Sequence, residues 1–265
     1  MSKPDQIEEA ARRLVGQRLS LSPIDLAEHM RPSDEGEAYA LQAAVNRQIS
    51  HSGLGLPAGH KIGCTTPVMQ AFLGIHSPAS GDVFAATRAP NGGRLSRAAY
   101  RRLGVECEIV VELARDVAPE EAPFTRENAT SAVGAVFVGI EIVDDRYLDY
   151  RALGAPTLIA DNFFNAGYAL GEPVADWRRL DLASLEGRML INRVEVGRGN
   201  GAMVLGHPLE ALVWLANSRA ARGLGLQRGK FVFLGSLVET RWLEAGDSVR
   251  VEIEALGALD LTVSA

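Results

Sequence analysis

The sequence predicts an α+β fold, helical at its start and strand-rich after about residue 100. Two patterns predict it. In residues 6–19 the apolar positions Ile7, Ala10, Ala11, Leu14 and Val15 follow helical spacing, and residues 35–49 repeat that pattern, giving a helical N-terminal region over 1–55. Beyond residue 100 the period falls to two in VECEIVVEL, and AVGAVFVGIEIV is apolar on both faces, as a buried strand is. No internal repeat interrupts the chain, so a single mixed α+β domain follows the helical region.

The elements follow in order. A polar, Pro-containing link at 21–34 separates the two helices, and the Gly/Pro-rich stretch 52–59 ends the second. HKIGCT reads as a short extended segment. TPVMQAFLG reads as a helix with Thr66 as N-cap, Pro67 in its first position and Gly74 as terminator, which sets Lys61 at a strand-to-helix approach. Residues 77–93, with Pro78, Gly81, Pro90, Asn91, Gly92 and Gly93, read as a loop able to act as a flap over a site. Strands are expected at 105–113, 132–143, 157–160 and 168–170, and a helix at HPLEALVWLANSRAARG, from Pro208 to just before Gly223. FVFLGSLV, a turn at Gly246 and Asp247 and the alternating strand SVRVEIEAL close the chain.

Composition narrows the function classes. With 265 residues, 47% hydrophobic and 23% charged, the chain can bury a sizeable core. No run approaches the roughly 18 apolar residues of a membrane span, and MSKPDQIEEAARRL lacks the apolar run of a secretory signal; a cytoplasmic protein with no membrane partner is expected. Cys64 and Cys107 offer neither a disulfide framework nor a metal quartet and read as small apolar fillers. A net charge of −6 argues against nucleic acid as a partner. Of 27 basic residues only Lys3, Lys61 and Lys230 are lysines, and a desolvated lysine, unlike an arginine, can exchange its proton near neutrality.

Three glutamates carry the chemistry. In VECEIVVEL, Glu106, Glu108 and Glu112 point away from the apolar face, and two carboxylates two residues apart repel unless water screens them or a cation neutralises them. A solvated sheet face and a metal site both remain open on that segment alone. Glu141 interrupts the apolar run, and a buried lone carboxylate must be protonated, paired or bound to metal. Glu106, Glu108 and Glu141 together suit a hard divalent cation, Mg²⁺ or Mn²⁺, better than zinc, since neither cysteines nor histidines cluster here. Lys61 is either an exposed lysine or the cation that lets an anionic substrate approach such a site.

The order and spacing of KIGCTTPVMQAFLGI, the Glu106 and Glu108 strand, EIVDDR, IADN, GRGNGAMVLGHPLEALVWLAN and LGSLV followed by AGD resemble the 2-keto-4-pentenoate hydratase and 4-oxalocrotonate decarboxylase family, fumarylacetoacetate-hydrolase-like enzymes, from about residue 55 to the end. The resemblance implies a mixed β-sandwich roll of the fumarylacetoacetate-hydrolase type over 56–265. It also implies Mg²⁺ or Mn²⁺ on Glu106, Glu108 and Glu141, Lys61 as an active-site lysine, and a small 2-oxo or 2-enol carboxylic acid as substrate. The implied reaction, in catabolism of aromatic compounds, adds water to a 2-hydroxy-2,4-dienoate to give a 4-hydroxy-2-oxo acid. Alternatives are decarboxylation of a 4-oxalocrotonate-type acid, C–C hydrolysis of an acylpyruvate, or a non-catalytic subunit that binds metal and oxo acid. A homo-oligomer, and a complex with a related pathway enzyme, are further implications.

Two departures from the family pattern bear on the pocket. Pro78, Ala79, Ser80 and Gly81 stand where the family reads PDFG, so an acid is missing unless Asp82 replaces it; Asp161, Asn162, Phe163 and Phe164 stand where it reads DNAS. Asp82, Asp161 and Phe164 are therefore the substrate-binding candidates, and the two phenylalanines suggest an apolar pocket for a longer or aryl-bearing oxo acid. Asp144 and Asp161 organise the site by hydrogen bonds or cap turns. His207 reads as a helix cap, His60 as pointing away from Lys61, and His76 as an outside acid/base candidate.

Overall fold

The computed structural model describes residues 3–265, and two helices open it. Helix α1 (Lys3–Leu19) and helix α2 (Glu35–Ile49) bury Ala10, Ala11, Leu14 and Val15 against Ala38, Leu41, Val45 and Ile49. Asp34 caps α2, its Oδ1 accepting the amide of Glu37 at 2.8 Å. The same apolar cluster continues into Ala79, Phe84, Leu158, Ile159 and Phe163, so the helices are seated on one end of the strand-rich part.

The larger sheet contains β1 (Pro57–Gly63), β2 (Ala79–Phe84), β4 (Leu103–Leu113), β5 (Val133–Asp144), β6 (Asn165–Leu170), β9 (Phe231–Ser236) and β10 (Arg241–Trp242). Its order is β2-β1-β9-β4-β5-β6, with β10 also pairing with β4, and only the β1–β9 pair is parallel. The smaller sheet takes β3 (Gly93–Ser96), β7 (Glu186–Ile191), β8 (Val194–Asn200), β11 (Ser248–Ile253) and β12 (Gly257–Ser264), in the order β3-β12-β11-β7-β8. Short helices α3 (Pro67–Leu73), α4 (Arg126–Ser131), α5 (Tyr150–Leu153) and α6 (Ala155–Ala160), and the longer α7 (Pro208–Ala220), complete the α+β architecture.

The two sheets share a core, and this decides which way β4 faces. Val105, Cys107, Ile109 and Val111 pack with Met189, Val249, Val251, Leu259 and Leu261 of the smaller sheet. By strand alternation Glu106 and Glu108 then point to the other face of the larger sheet. The caps expected for α3 and α7 are present: Thr66 accepts from the amide of Met69, Gly74 is left-handed, and His207 Nδ1 accepts from the amide of Leu209 at 3.1 Å.

Two expected elements differ. Residues 157–160, read as a strand, are helical in α6: Pro156 stands in the first turn and the run is buried against α2 and the sheet, which a short apolar run does not reveal by period alone. The expected flap at 77–93 contains a strand at 79–84, where β2 pairs antiparallel with β1 from end to end of the strand and is almost wholly buried, so only its flanks are loop. Gly81 shows why this small-residue strand fits there, since a Cβ on it would lie 2.9 Å from the carbonyl oxygen of Asn162.

A buried ion cluster ties α1 to the sheet. Asp161 accepts from Arg146 Nη2 at 2.6 Å and from the Tyr147 hydroxyl at 3.1 Å, and Arg18 Nη1 lies 3.7 Å from its other oxygen. Burial pulls the Arg146 guanidinium down, and Asp161, Tyr147 and Asp144 together more than offset it, holding Arg146 above its ordinary value. Arg146→Met, which leaves Asp161 buried with its main partner gone, is expected to destabilise the protein by about 3–5 kcal/mol in urea unfolding. A loss below about 1 kcal/mol would put this cluster among the weak ion pairs.

Candidate metal centre

The register of β4 on β5 assembles the three glutamates. Glu106 lies directly opposite Glu141, and Glu108 follows two residues along the same face of β4. Carboxylate oxygens of Glu106, Glu108 and Glu141 all lie within 4.8 Å of one another, close to the ~4.2 Å span of an octahedral shell with ligands at ~2.1 Å. Glu108 and Glu141 are fully buried, which excludes the solvated-face reading for them. Glu112, grouped with them by alternation, is not part of this cluster.

One oxygen of each glutamate is held by the protein. Glu108 Oε2 accepts the amide of Gly235 at 2.8 Å, Glu141 Oε1 accepts Asn165 Nδ2 at 3.0 Å, and Glu106 Oε1 accepts the Thr240 hydroxyl. Gly235 has φ 120°, and a Cβ there would lie 2.5 Å from Thr65 Oγ1, so only glycine lets this amide face Glu108. The second oxygens, Glu108 Oε1 and Glu141 Oε2, are buried with no hydrogen-bond partner. Orphaned buried acceptors of this kind are costly unless a cation or proton occupies the space between them.

Lys61 closes the cluster. Its Nζ is 3.4 Å from Glu141 Oε1, donates to the carbonyl of Phe163 at 3.0 Å and lies 5.3 Å from the Phe163 ring centre. At 3% exposure it is a buried lysine, not a surface one. Burial alone lowers its pKa, but Glu141, Glu106 and Glu108 together raise it further, so the ammonium stays charged. Three carboxylates beside one ammonium leave two negative charges in excess, which a single divalent cation neutralises. The donor set, its charge and its orphaned oxygens thus fit a hard divalent ion. Cys64, next along the strand path, has its thiol pushed up to about 12 by burial and is a neutral filler.

These charges predict a pH dependence for the metal-free protein. Burial, then the neighbouring carboxylates, raise Glu108 well above its ordinary value, and burial raises Glu141 to about 7. A carboxyl with a raised folded pKa contributes stability that is complete below its unfolded value of about 4.3 and is lost as pH rises through the folded value. In EDTA the melting temperature is therefore expected to fall between about pH 5 and 8. Excess Mg²⁺ or Mn²⁺ is expected to flatten that fall. A profile in EDTA that is flat over this range would count against the strained cluster.

The other sequence candidates lie elsewhere. Asp82 is the cross-strand partner of His60, on the face of β1 and β2 opposite Lys61; its Oδ1 is 2.7 Å from His60 Nδ1, and its Oδ2 accepts Asn46 Nδ2 at 2.8 Å. Asp161 is engaged by Arg146, Tyr147 and Arg18. Asp144 is buried and accepts the amide of Arg102 at 2.7 Å. Phe164 stacks edge-on against Tyr147 and Tyr150 with ring centres 4.8 and 5.7 Å away, while Phe163 is the ring beside Lys61. His76 is exposed. The Phe163 carbonyl, Asn165, Thr240 and the Gly235 amide were not singled out from sequence. Gly235 carries a signal by lying in the LGSLV motif, and Phe163 carries one as a departure from DNAS, through its ring and not its carbonyl.

Comparison with known proteins places this geometry in context. Residues 70–264 match the family model described as fumarylacetoacetate (FAA) hydrolase, C-terminal. The chain is 31% identical over 265 residues to a 2-keto-4-pentenoate hydratase of Paraburkholderia phymatum, covering 100% of both chains. It is 33% identical over 258 residues to the 2-keto-4-pentenoate hydratase of Paraburkholderia xenovorans, covering 97% of this chain and 94% of that one. In fold it is similar to 4-oxalocrotonate decarboxylase from Pseudomonas putida G7, with a TM-score of 0.91, 24% identity and 99% of each chain covered. That enzyme has been solved with calcium and acetate and with magnesium and adipate.

Proposed function

Since the chain belongs to the fumarylacetoacetate hydrolase family, among the 2-keto-4-pentenoate hydratases and 4-oxalocrotonate decarboxylases, we propose that it is a metal-dependent hydratase adding water to a 2-hydroxy-2,4-dienoate to give a 4-hydroxy-2-oxo acid. The observation that carries this reading is the buried set of Glu106, Glu108 and Glu141 with orphaned oxygens, beside the buried Lys61. In the proposal those three glutamates hold Mg²⁺ or Mn²⁺, which supplies Lewis-acid polarisation of the substrate's 2-oxygen.

The chain's own residues supply the rest. Lys61 has three N–H donors and gives one to the Phe163 carbonyl and one toward Glu141, which leaves a third for the substrate's carboxylate or enol oxygen. Its charged state suits it to orient that anion and to offset the glutamates' repulsion of it. The reaction balances as the 2-hydroxyl proton lost and one proton gained at C5 when the dienol ketonises, then a C–O bond formed from water to C4 with water's other proton passing to C3. Burial of Glu108, Glu141 and Lys61 keeps bulk water from screening these charges.

The test is ultraviolet absorbance of 2-hydroxypenta-2,4-dienoate, with and without added Mg²⁺ or Mn²⁺. Metal-dependent loss of the dienol with 4-hydroxy-2-oxopentanoate as product is the expected result. CO₂ release from an oxalocrotonate-type diacid, with no dienol consumed, would replace hydration by decarboxylation on the same residues.

The aromatic row of Phe163, Phe164 and Tyr150 supports a substrate with an apolar tail. Phe164→Ser is expected to cut kcat/KM for a longer alkyl or aryl dienoate about tenfold more than for the five-carbon one. An equal loss on both would remove Phe164 from the tail's binding site. Assembly into a homo-oligomer belongs to the same proposal and is read by light scattering. Among the described residues no helix is long and apolar enough to cross a membrane.

A further inference from the structure

A hydrogen-bonded network on the far face of β1 and β2 reaches Lys61 indirectly. His60 Nδ1 meets Asp82 Oδ1 at 2.7 Å, and Asn46 Nδ2 donates to Asp82 Oδ2 at 2.8 Å. The Asp82 amide donates to Asn162 Oδ1 at 2.8 Å, and Asn162 Nδ2 returns the link to Asn46 Oδ1. All four side chains are buried or nearly so. Asn162 opens a run of three non-glycine residues in the left-handed region, with φ 58° at Asn162, 48° at Phe163 and 67° at Phe164. Asparagine tolerates that region but the two phenylalanines do not, and such a run persists only where its surroundings over-determine it.

What holds this run is specific. Gly81 on β2 allows the Asn162 backbone to approach within a distance that any Cβ would block. The Asn162 side chain is clamped from two sides by Asp82 and Asn46. The next residue presents the carbonyl on which Lys61 Nζ rests at 3.0 Å, and its ring lies beside the same nitrogen. Lys61 thus has one anchor inside the glutamate cluster and one on a strained turn outside it.

We infer that His60, Asp82, Asn46 and Asn162 are positioning residues that fix the Phe163 carbonyl and through it the location of the Lys61 ammonium. The inference rests on Lys61 being the site lysine of the proposed reaction. It gives Asp82 a role on the opposite face of the strand from the substrate. It also accounts for a His–Asp pair that makes no contact with the glutamates.

Asn162→Gly is the primary variant, since glycine keeps the left-handed backbone and removes only the clamp. Lys3, Lys61 and Lys230 are the only lysines, so ¹³Cε-labelled lysine gives three resonances in the Mg²⁺-loaded protein, with Lys61 assigned by its loss in Lys61→Met. The Lys61 resonance is expected to move in Asn162→Gly while those of Lys3 and Lys230 stay. With the dienoate, kcat is expected to fall about 10- to 100-fold with KM changed less than about threefold, as misplacement of a reacting group does. In a Lys61→Met background Asn162→Gly should cost nothing further, since the two act as a unit.

A folded Asn162→Gly protein with a lowered melting temperature and an unmoved Lys61 resonance overturns the inference, because a packing role would do no more. Should that variant fail to fold, His60→Ala, at the outer end of the network, decides by the same resonance. If the native enzyme consumes no dienoate, the proposed reaction fails while the resonance still decides the positioning role.

Discussion

Glu108→Gln is expected to weaken Mn²⁺ binding by at least about 10²-fold, since even the hydrogen-bond partners of metal ligands are worth 10–100-fold. Turnover of the dienoate at fixed metal should fall by at least about 10³-fold, the equivalent of roughly 4 kcal/mol of lost Lewis-acid stabilisation. Glutamine keeps the volume and can still accept the Gly235 amide at the position Glu108 Oε2 holds, so the fold is not put at risk. Removal of the charge has the opposite sign for the metal-free protein. Glu108 is held well above its ordinary pKa by burial and by Glu141 and Glu106, so an uncharged residue there relieves repulsion at alkaline pH. The metal-free melting temperature at pH 8 should therefore rise while the metal-induced increase disappears. Calorimetric titration and melting curves in EDTA and in Mn²⁺ read both effects. Unchanged Mn²⁺ affinity would remove Glu108 from the ligand set and with it the basis of the proposed reaction.

Lys61→Met carries the second large effect, and its signature differs from that of a ligand. Loss of the buried ammonium beside the carboxylates leaves Glu141 without its 3.4 Å partner. The metal-free protein should lose about 3–5 kcal/mol at pH 8, the cost of breaking a buried ion pair from one side. Metal binding should tighten, because the positive charge that competes with the ion is gone, and kcat/KM should fall by about 10² to 10⁴. Tighter metal with lost turnover separates Lys61 from the glutamates. A variant that loses metal and turnover together would instead make Lys61 part of the structural support of the ion.

Much of the candidate site was legible in the chain because its parts are local. Glu106 and Glu108 share a face by strand alternation alone, and Glu141 interrupts a run too apolar to be anything but buried; both features survive folding unchanged. The Thr66, Gly74 and His207 caps were legible for the same reason, being fixed by residues within a few positions of each other. Asp82 was another matter. It lies three positions after Ala79, where the family pattern has its acid, which makes it a candidate stand-in, but the β1–β2 register pairs it with His60 and turns it from Lys61. A shift of one residue in that register would have reversed its face, and register across a connection of this length is not encoded in local spacing.

By itself the sequence determined the fold class and the helical entry, and it singled out the three carboxylates as a chemical set with Lys61 as a candidate cation beside them. Periodicity and burial preference act over a few residues, so they can be read directly from order. Tertiary structure alone decided that 157–160 is helix, that 79–84 is a paired strand, and that Asp161 serves Arg146 and Arg18. It also decided that a carbonyl in a left-handed turn at Phe163 holds Lys61. Each of these joins residues far apart in the chain, across a sheet pairing or helix docking whose geometry arises only once the two sheets and α1 and α2 have packed.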